Sequence, residues 1–182
     1  TGLDAQTKDI AVISNNLANA STIGFKKSRA VFEDLLYQNI NQPGGRSAQD
    51  TEMPSGLMLG AGAKVVANQK NFSQGNMLTT ENSLDWMISG PGFFEVQLPD
   101  GNIAYSRNGQ FTTDEDGRIV TSGAGFPLQP EMNVPDDAQS ITVSQDGEVS
   151  VRISGQAENV VIGQLTISDF INPSGLEPMG QN

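Results

Sequence analysis

The chain is 182 residues long, 36% hydrophobic and 6% aromatic, with 10 Lys and Arg against 21 Asp and Glu and a formal net charge of −11. With no Cys and no His it offers no disulfide or thiolate metal site, and it lacks the commonest general base and transition-metal ligand. An acidic surface repels phosphate backbones and anionic lipid, which argues against nucleic-acid binding and membrane docking.

Residues 3–20 read as one amphipathic helix. Leu3, Ile10 and Leu17 recur at the heptad spacing, and Gln6, Ile13 and Ala20 fill the alternate position. This is an a/d seam of the kind that packs helix on helix, marred at Gln6. The helix should fail near Ser21-Thr22-Ile23-Gly24, with Gly24 as a left-handed C′ residue. No second amphipathic helix follows, and a lone helix of this length is marginal in water. The seam is therefore expected to bury itself against a partner outside these residues. Charge is balanced over residues 1–40, where Lys8, Lys26, Lys27 and Arg29 face Asp4, Asp9, Glu33 and Asp34, so the acidic excess lies in 41–182.

Residues 29–40 are apolar at Val31, Phe32, Leu35, Leu36 and Ile40, a spacing that suits a short helix or an extended arm. Residues 41–63 are rich in Gly, Pro, Ser, Gln and Asn, with Pro43-Gly44-Gly45 and Pro54-Ser55-Gly56, and read as an irregular or extended connector. Residues 64–72 read as a strand, with Val65, Val66 and Phe72 as its apolar points.

From residue 84 onward the texture is one of short strands and tight turns. Turn signals stand at Asp100-Gly101, Asn108-Gly109, Asp116-Gly117 and Asp146-Gly147, pairs that favour the positive φ of hairpin turns. Between them lie Phe93–Leu98, Ile103–Tyr105, Arg118–Thr121, Ile141–Ser144 and Glu148–Ile153, and Val160–Phe170 closes the series. Val149, Val151 and Ile153 alternate with polar neighbours, as in a half-buried strand. The fold class expected is mainly β: an antiparallel β domain with an N-terminal amphipathic α-helix and an extended connector. The expected division is 1–25 helix, 26–72 connector and 73–182 all-β domain.

Catalytic and metal-binding patterns are poorly met. Gly60-Ala61-Gly62-Ala63-Lys64 misses the phosphate-loop spacing and has Val65 where a metal-binding hydroxyl belongs. Asp114-Glu115-Asp116-Gly117 lacks the residue order and distal Glu of a calcium loop and reads as a solvated turn. The carboxylates Asp100, Asp116 and Asp146 all sit beside Gly in turns. We expect no catalytic residues, no metal, no cofactor and no enzymatic activity. No apolar run is long enough to span a bilayer, and no cleavable secretory signal is visible.

The run Asn15-Asn16-Leu17-Ala18-Asn19-Ala20-Ser21-Thr22-Ile23-Gly24-Phe25-Lys26 resembles the signature of bacterial flagellar rod and hook axial proteins. Gly90-Pro91-Gly92-Phe93-Phe94, Tyr105-Ser106-Arg107-Asn108-Gly109-Gln110-Phe111 and Asp116-Gly117-Arg118-Ile119-Val120-Thr121 resemble later blocks of the same family. Ala30 to Gln38, Gln42-Pro43-Gly44 and Pro54-Ser55-Gly56 look most like its distal rod subunit, residues 39–57 matching the insertion that sets that subunit apart.

The resemblance implies a structural subunit of the basal-body rod, a drive shaft that self-assembles into a helical tube. Its partners would be copies of itself, other rod and hook subunits and surrounding bushing rings. Its place would be the periplasm-spanning rod, reached by export without a cleaved signal peptide. The subunit interface would include Leu3, Ile10, Ile13, Leu17, Asn16, Asn19 and Phe25. Relative to the family pattern the chain starts late and lacks the long C-terminal helix that is the natural partner of the seam. The rival within the family is a proximal rod or hook subunit. The rival outside it is a secreted carbohydrate-binding module, which would need Trp86, Phe93, Phe94 or Tyr105 exposed; their strand-like surroundings mark them as core.

Overall fold

The computed structural model describes residues 2–41, 46–48, 51–52 and 57–180. They fall into two compact units, Thr1–Ala20 with Lys26–Asn71, and Ser21–Phe25 with Phe72–Asn182. The architecture is mainly antiparallel β with one amino-terminal helix, as the two periodicities predict.

The first unit holds the helix α1 (Gly2–Ala18) and the strands β1 (Ser28–Asp34), β2 (Tyr37–Asn41), β3 (Arg46–Ala48), β4 (Thr51–Glu52), β5 (Leu57–Gly60) and β6 (Ala63–Lys70). Their pairings nest. β1 lies antiparallel to β6, β2 to β5 and β3 to β4, with Ser28 opposite Lys70, Tyr37 opposite Gly60 and Arg46 opposite Glu52. The Leu35 amide donates to the Gly62 carbonyl at 2.7 Å, carrying the ladder across the break between the first two pairs. The choice left open at 29–40 thus falls to strand. Helix was compatible with the spacing of Val31, Phe32, Leu35 and Leu36, but the β6 backbone supplies a ladder partner that no local signal reveals. Within the expected connector, Ser28 and Lys70 lie side by side. Pro43-Gly44-Gly45 and Pro54-Ser55-Gly56 lie outside the described residues.

The second unit holds β7 (Phe93–Gln97), β8 (Ile103–Ser106), β9 (Phe111–Thr113), β10 (Ile119–Thr121), β11 (Leu128–Gln129), β12 (Ala138–Val143), β13 (Glu148–Ile153), β14 (Val160–Gln164) and β15 (Ile167–Ser168). β7 is central: β8 lines one side of it, and β11 and β15 share the other. β9 and β10 form a hairpin, and β12, β13 and β14 a three-stranded meander.

The core is Ile88, Phe94, Val96, Phe111, Ile119, Leu128, Met132 and Val149. Phe94 and Val96 alternate along β7 and so face one way. The Phe94 and Phe111 rings meet edge to face with centroids 5.2 Å apart, and Trp86 adds a third ring 5.3 Å from Phe111. Each such buried side chain contributes about 1.5–3 kcal/mol.

Three of the four expected glycine turns hold, with φ of 84° at Gly101, 77° at Gly117 and 81° at Gly147. The fourth does not. Asn108-Gly109 joins β8 to β9, which do not pair with each other, and Gly109 is not at positive φ. Gly109 is needed for proximity instead: an added Cβ would stand 1.7 Å from the Trp86 carbonyl oxygen. Gly24 has the left-handed φ of 76° expected of it, but α1 already ends at Ala18, so Gly24 belongs to the following loop and is not the helix C′ residue.

Candidate assembly surface on the amino-terminal helix

The helix α1 has two faces with different fates. Ala5 is buried, and Asp9, Val12 and Asn16 are half-buried, as is Asn19 just beyond. Their steps of four and three residues make one stripe, the side that packs on β1 and β6. The remaining α1 residues are exposed. Among them are Leu3 at 84%, Ile10 at 60%, Ile13 at 56% and Leu17 at 75%. At about 100° per residue the two stripes are centred roughly 120° apart. The chain's own sheet therefore covers a mixed, small-residue stripe and leaves the heptad seam bare. Covering a large aliphatic side chain contributes about 1.5–3 kcal/mol, and an exposed apolar stripe of this kind is the feature of α1 that calls for an explanation.

The sequence-derived interface residues part company here. Leu3, Ile10, Ile13 and Leu17 share the bare face. Asn16 turns the other way: its Nδ2 donates to the Ser28 carbonyl at 2.6 Å, and its Oδ1 accepts from the Ser28 amide at 2.9 Å. Asn19 Nδ2 donates to the Asn15 carbonyl at 3.0 Å. Phe25 belongs to the second unit, where it is half-buried and its amide donates to Thr22 at 3.3 Å. The stripe Ala5, Asp9, Val12 was not singled out from sequence, because an Ala, an Asp and a Val give little hydrophobic signal.

The second unit holds carboxylates in structural work. Partial burial pushes the Asp114 carboxyl up, but hydrogen bonds from the Arg118 amide and guanidinium, the Arg118 charge and the Asp116 amide outweigh it and hold the group below its ordinary value. Arg118 Nε donates to Asp114 at 2.9 Å across the β9–β10 turn. The backbone and side chain of Asn102 likewise lower Asp100. Among the described residues no group of His, Cys, Asp and Glu is placed to hold a metal ion. Phe93 and Phe94 are buried and Trp86 is half-buried, as read from their surroundings; Tyr105 is 39% exposed, because β8 is an outer strand. Arg107 lies over the Phe93 ring at 5.7 Å and donates to the Gly90 carbonyl at 2.6 Å, and burial lowers its pKa against the raising effect of Asp169.

Residues 1–26, which contain the whole of α1, match the family described as flagella basal body rod protein. Residues 87–151, from the core aromatics through most of β13, match the D1 domain of the flagellar hook proteins FlgE, FlgF and FlgG. The flagellar basal-body rod protein FlgG of Buchnera aphidicola from Schizaphis graminum is 54% identical over all of this chain and 70% of its own length. This chain belongs to the FlgG family of flagellar basal-body rod proteins. Borreliella burgdorferi FlgG is 43% identical over the whole chain, and the Escherichia coli flagellar hook protein FlgE is 35% identical over 120 residues, 66% of this chain and 25% of the hook protein. FlgG is a structural rod subunit and not an enzyme. Among the described residues no helix is long and apolar enough to cross a membrane.

Proposed function

We propose that this FlgG chain builds the distal rod by burying the α1 seam against neighbouring copies. The observation that carries the proposal is the exposure of Leu3, Ile10, Ile13 and Leu17 on a helix whose opposite stripe is already packed. A contact that pairs different surfaces on successive copies does not close, and so grows into a helical tube. In such a tube the helix lines the inner wall, residues 26–72 reach neighbouring subunits, and residues 73–182 form the outer domain. Torque passes to the hook through many buried contacts in parallel. Other rod and hook subunits cap the ends, bushing rings surround the shaft, and the subunit reaches the periplasm-spanning rod by export without a cleaved signal peptide.

The nested ladder is suited to stiffening. A two-stranded ribbon is marginal alone and gains most when its faces are covered by neighbours. Leu36 and Tyr37 stand 90% and 62% exposed on it.

The test is electron microscopy of the full-length protein. We expect ordered tubes from the native protein and none from Ile10→Glu or Leu17→Glu, with each variant's thermal melt unchanged when dilute. Tubes that persist in both variants would overturn the seam as the interface. Deleting residues 39–57 should give tubes that bend more; equally straight tubes would remove the ribbon's stiffening role.

A further inference from the structure

We propose that Asn108-Gly109 is a spontaneous deamidation site that folding holds shut. Asn-Gly is the most labile of asparaginyl pairs, because glycine puts no side chain in the way of its own amide nitrogen. After losing its proton to solvent base, the Gly109 nitrogen bonds to Asn108 Cγ. The Cγ–Nδ2 bond breaks and ammonia leaves. Water then opens the resulting succinimide at either carbonyl, giving aspartate or isoaspartate.

The fold creates this hazard and contains it. Position 109 has to be glycine, because a Cβ there would stand 1.7 Å from the Trp86 carbonyl oxygen. Ring closure requires the Asn108 side chain and the 108–109 peptide to rotate towards each other. Four hydrogen bonds oppose that rotation. Asn108 Oδ1 accepts from the Gln110 amide at 3.1 Å, and the Asn108 amide donates to Ser106 Oγ at 3.0 Å. The Gly109 carbonyl accepts from the Trp86 amide at 2.8 Å, and the Gln110 carbonyl from the Ser122 amide at 3.1 Å. Gly109 itself is buried. Water reaches Asn108 itself, which lines an open groove with Ser106, Tyr105 and Phe126, so the burial that matters is that of the Gly109 nitrogen.

The two products differ in consequence. Aspartate keeps the oxygen that receives the Gln110 amide. Isoaspartate lengthens the main chain by one carbon and displaces the Asn108 amide. That amide also meets the Gly24 loop, where a Cβ on Gly24 would stand 2.8 Å from the Asn108 nitrogen. Chains that dwell unfolded therefore collect a lesion at position 108, and the isoaspartate form cannot rebuild the turn.

The full-length protein, held in warm, mildly alkaline buffer with and without urea, tests this by peptide mass spectrometry. We expect the mass gain of deamidation at Asn108 in urea, and a rate at least about tenfold lower in native buffer, where only transient opening exposes the site. On dilution from urea, folded protein should be depleted of isoaspartate but not of aspartate at 108. Asn108→Asp should fold as the native chain does and show no such mass gain. Equal rates in both buffers, no gain in urea, or isoaspartate chains that refold as well as the rest would each overturn the proposal.

Discussion

Asn16 engages Ser28 with both ends of its side-chain amide, donating to the carbonyl at 2.6 Å and accepting from the amide at 2.9 Å. A side chain near the end of α1 thereby satisfies both backbone groups of the first residue of β1. The contact fixes which stripe of the helix meets the sheet, and so which stripe is left bare.

Asn16→Ala removes both bonds and leaves the half-buried Ser28 groups without their partner. We expect a loss of about 1–3 kcal/mol, seen as faster hydrogen exchange along α1 and a lower thermal midpoint in dilute protein. Asn16→Asp keeps the acceptor but sets a carboxylate beside a carbonyl oxygen, and should recover little of the loss. This separates Asn16 from Leu17, whose substitution should affect assembly alone.

Gly24 sits at a φ of 76° with its α-carbon close against the 107–108 backbone. Gly24→Ala carries the left-handed penalty of about 1–2 kcal/mol and an added clash with the Asn108 nitrogen. Thermal denaturation should register a loss at least that large. A neutral outcome would mean that the loop moves away at no cost.

Leu128 is fully buried between β7 and the rest of the core. Leu128→Ala should cost about 2–5 kcal/mol, depending on how far the ring cluster of Phe94 and Phe111 collapses into the space. Urea denaturation followed by Trp86 fluorescence reads this directly, since Trp86 packs on the same cluster.

Asp114 is held below its ordinary pKa, so its contribution has a defined sign. The unfolded chain binds the proton more readily. The contribution is complete above the unfolded value of about 3.9 and disappears as pH falls through the lower folded value. Asp114→Asn should flatten the stability profile in that acid window and leave its shape near neutrality unchanged. An identical acid limb in both proteins would show that other carboxylates carry it.

Much of the fold was legible along the chain. The heptad of Leu3, Ile10 and Leu17 marks a helix, and the alternation of Val149, Val151 and Ile153 marks β13, because side-chain period reports local geometry directly. Asp100-Gly101, Asp116-Gly117 and Asp146-Gly147 mark turns because their backbone needs positive φ. Asn108-Gly109 carries the same local signal and means something else, since its glycine answers to Trp86, a residue far back in the chain. Residues 29–40 stayed ambiguous for a related reason: their strand state depends on β6 and β5, across intervening chain.

The bare seam was visible as an apolar stripe with no partner, whereas the stripe that meets the sheet was not, being made of Ala5, Asp9, Val12, Asn16 and Asn19. Sequence by itself determined the helix, the β-rich character, the family motifs and the apolar stripe of the seam, all of which rest on local periodicity or short-range backbone demands. Tertiary structure alone decided that Asn16 fastens the helix to Ser28 instead of joining the seam, that β1 pairs with β6 and β2 with β5, and that Gly109 serves proximity. Each of these depends on which distant backbone groups are brought within hydrogen-bond reach, and no one-dimensional pattern carries that information.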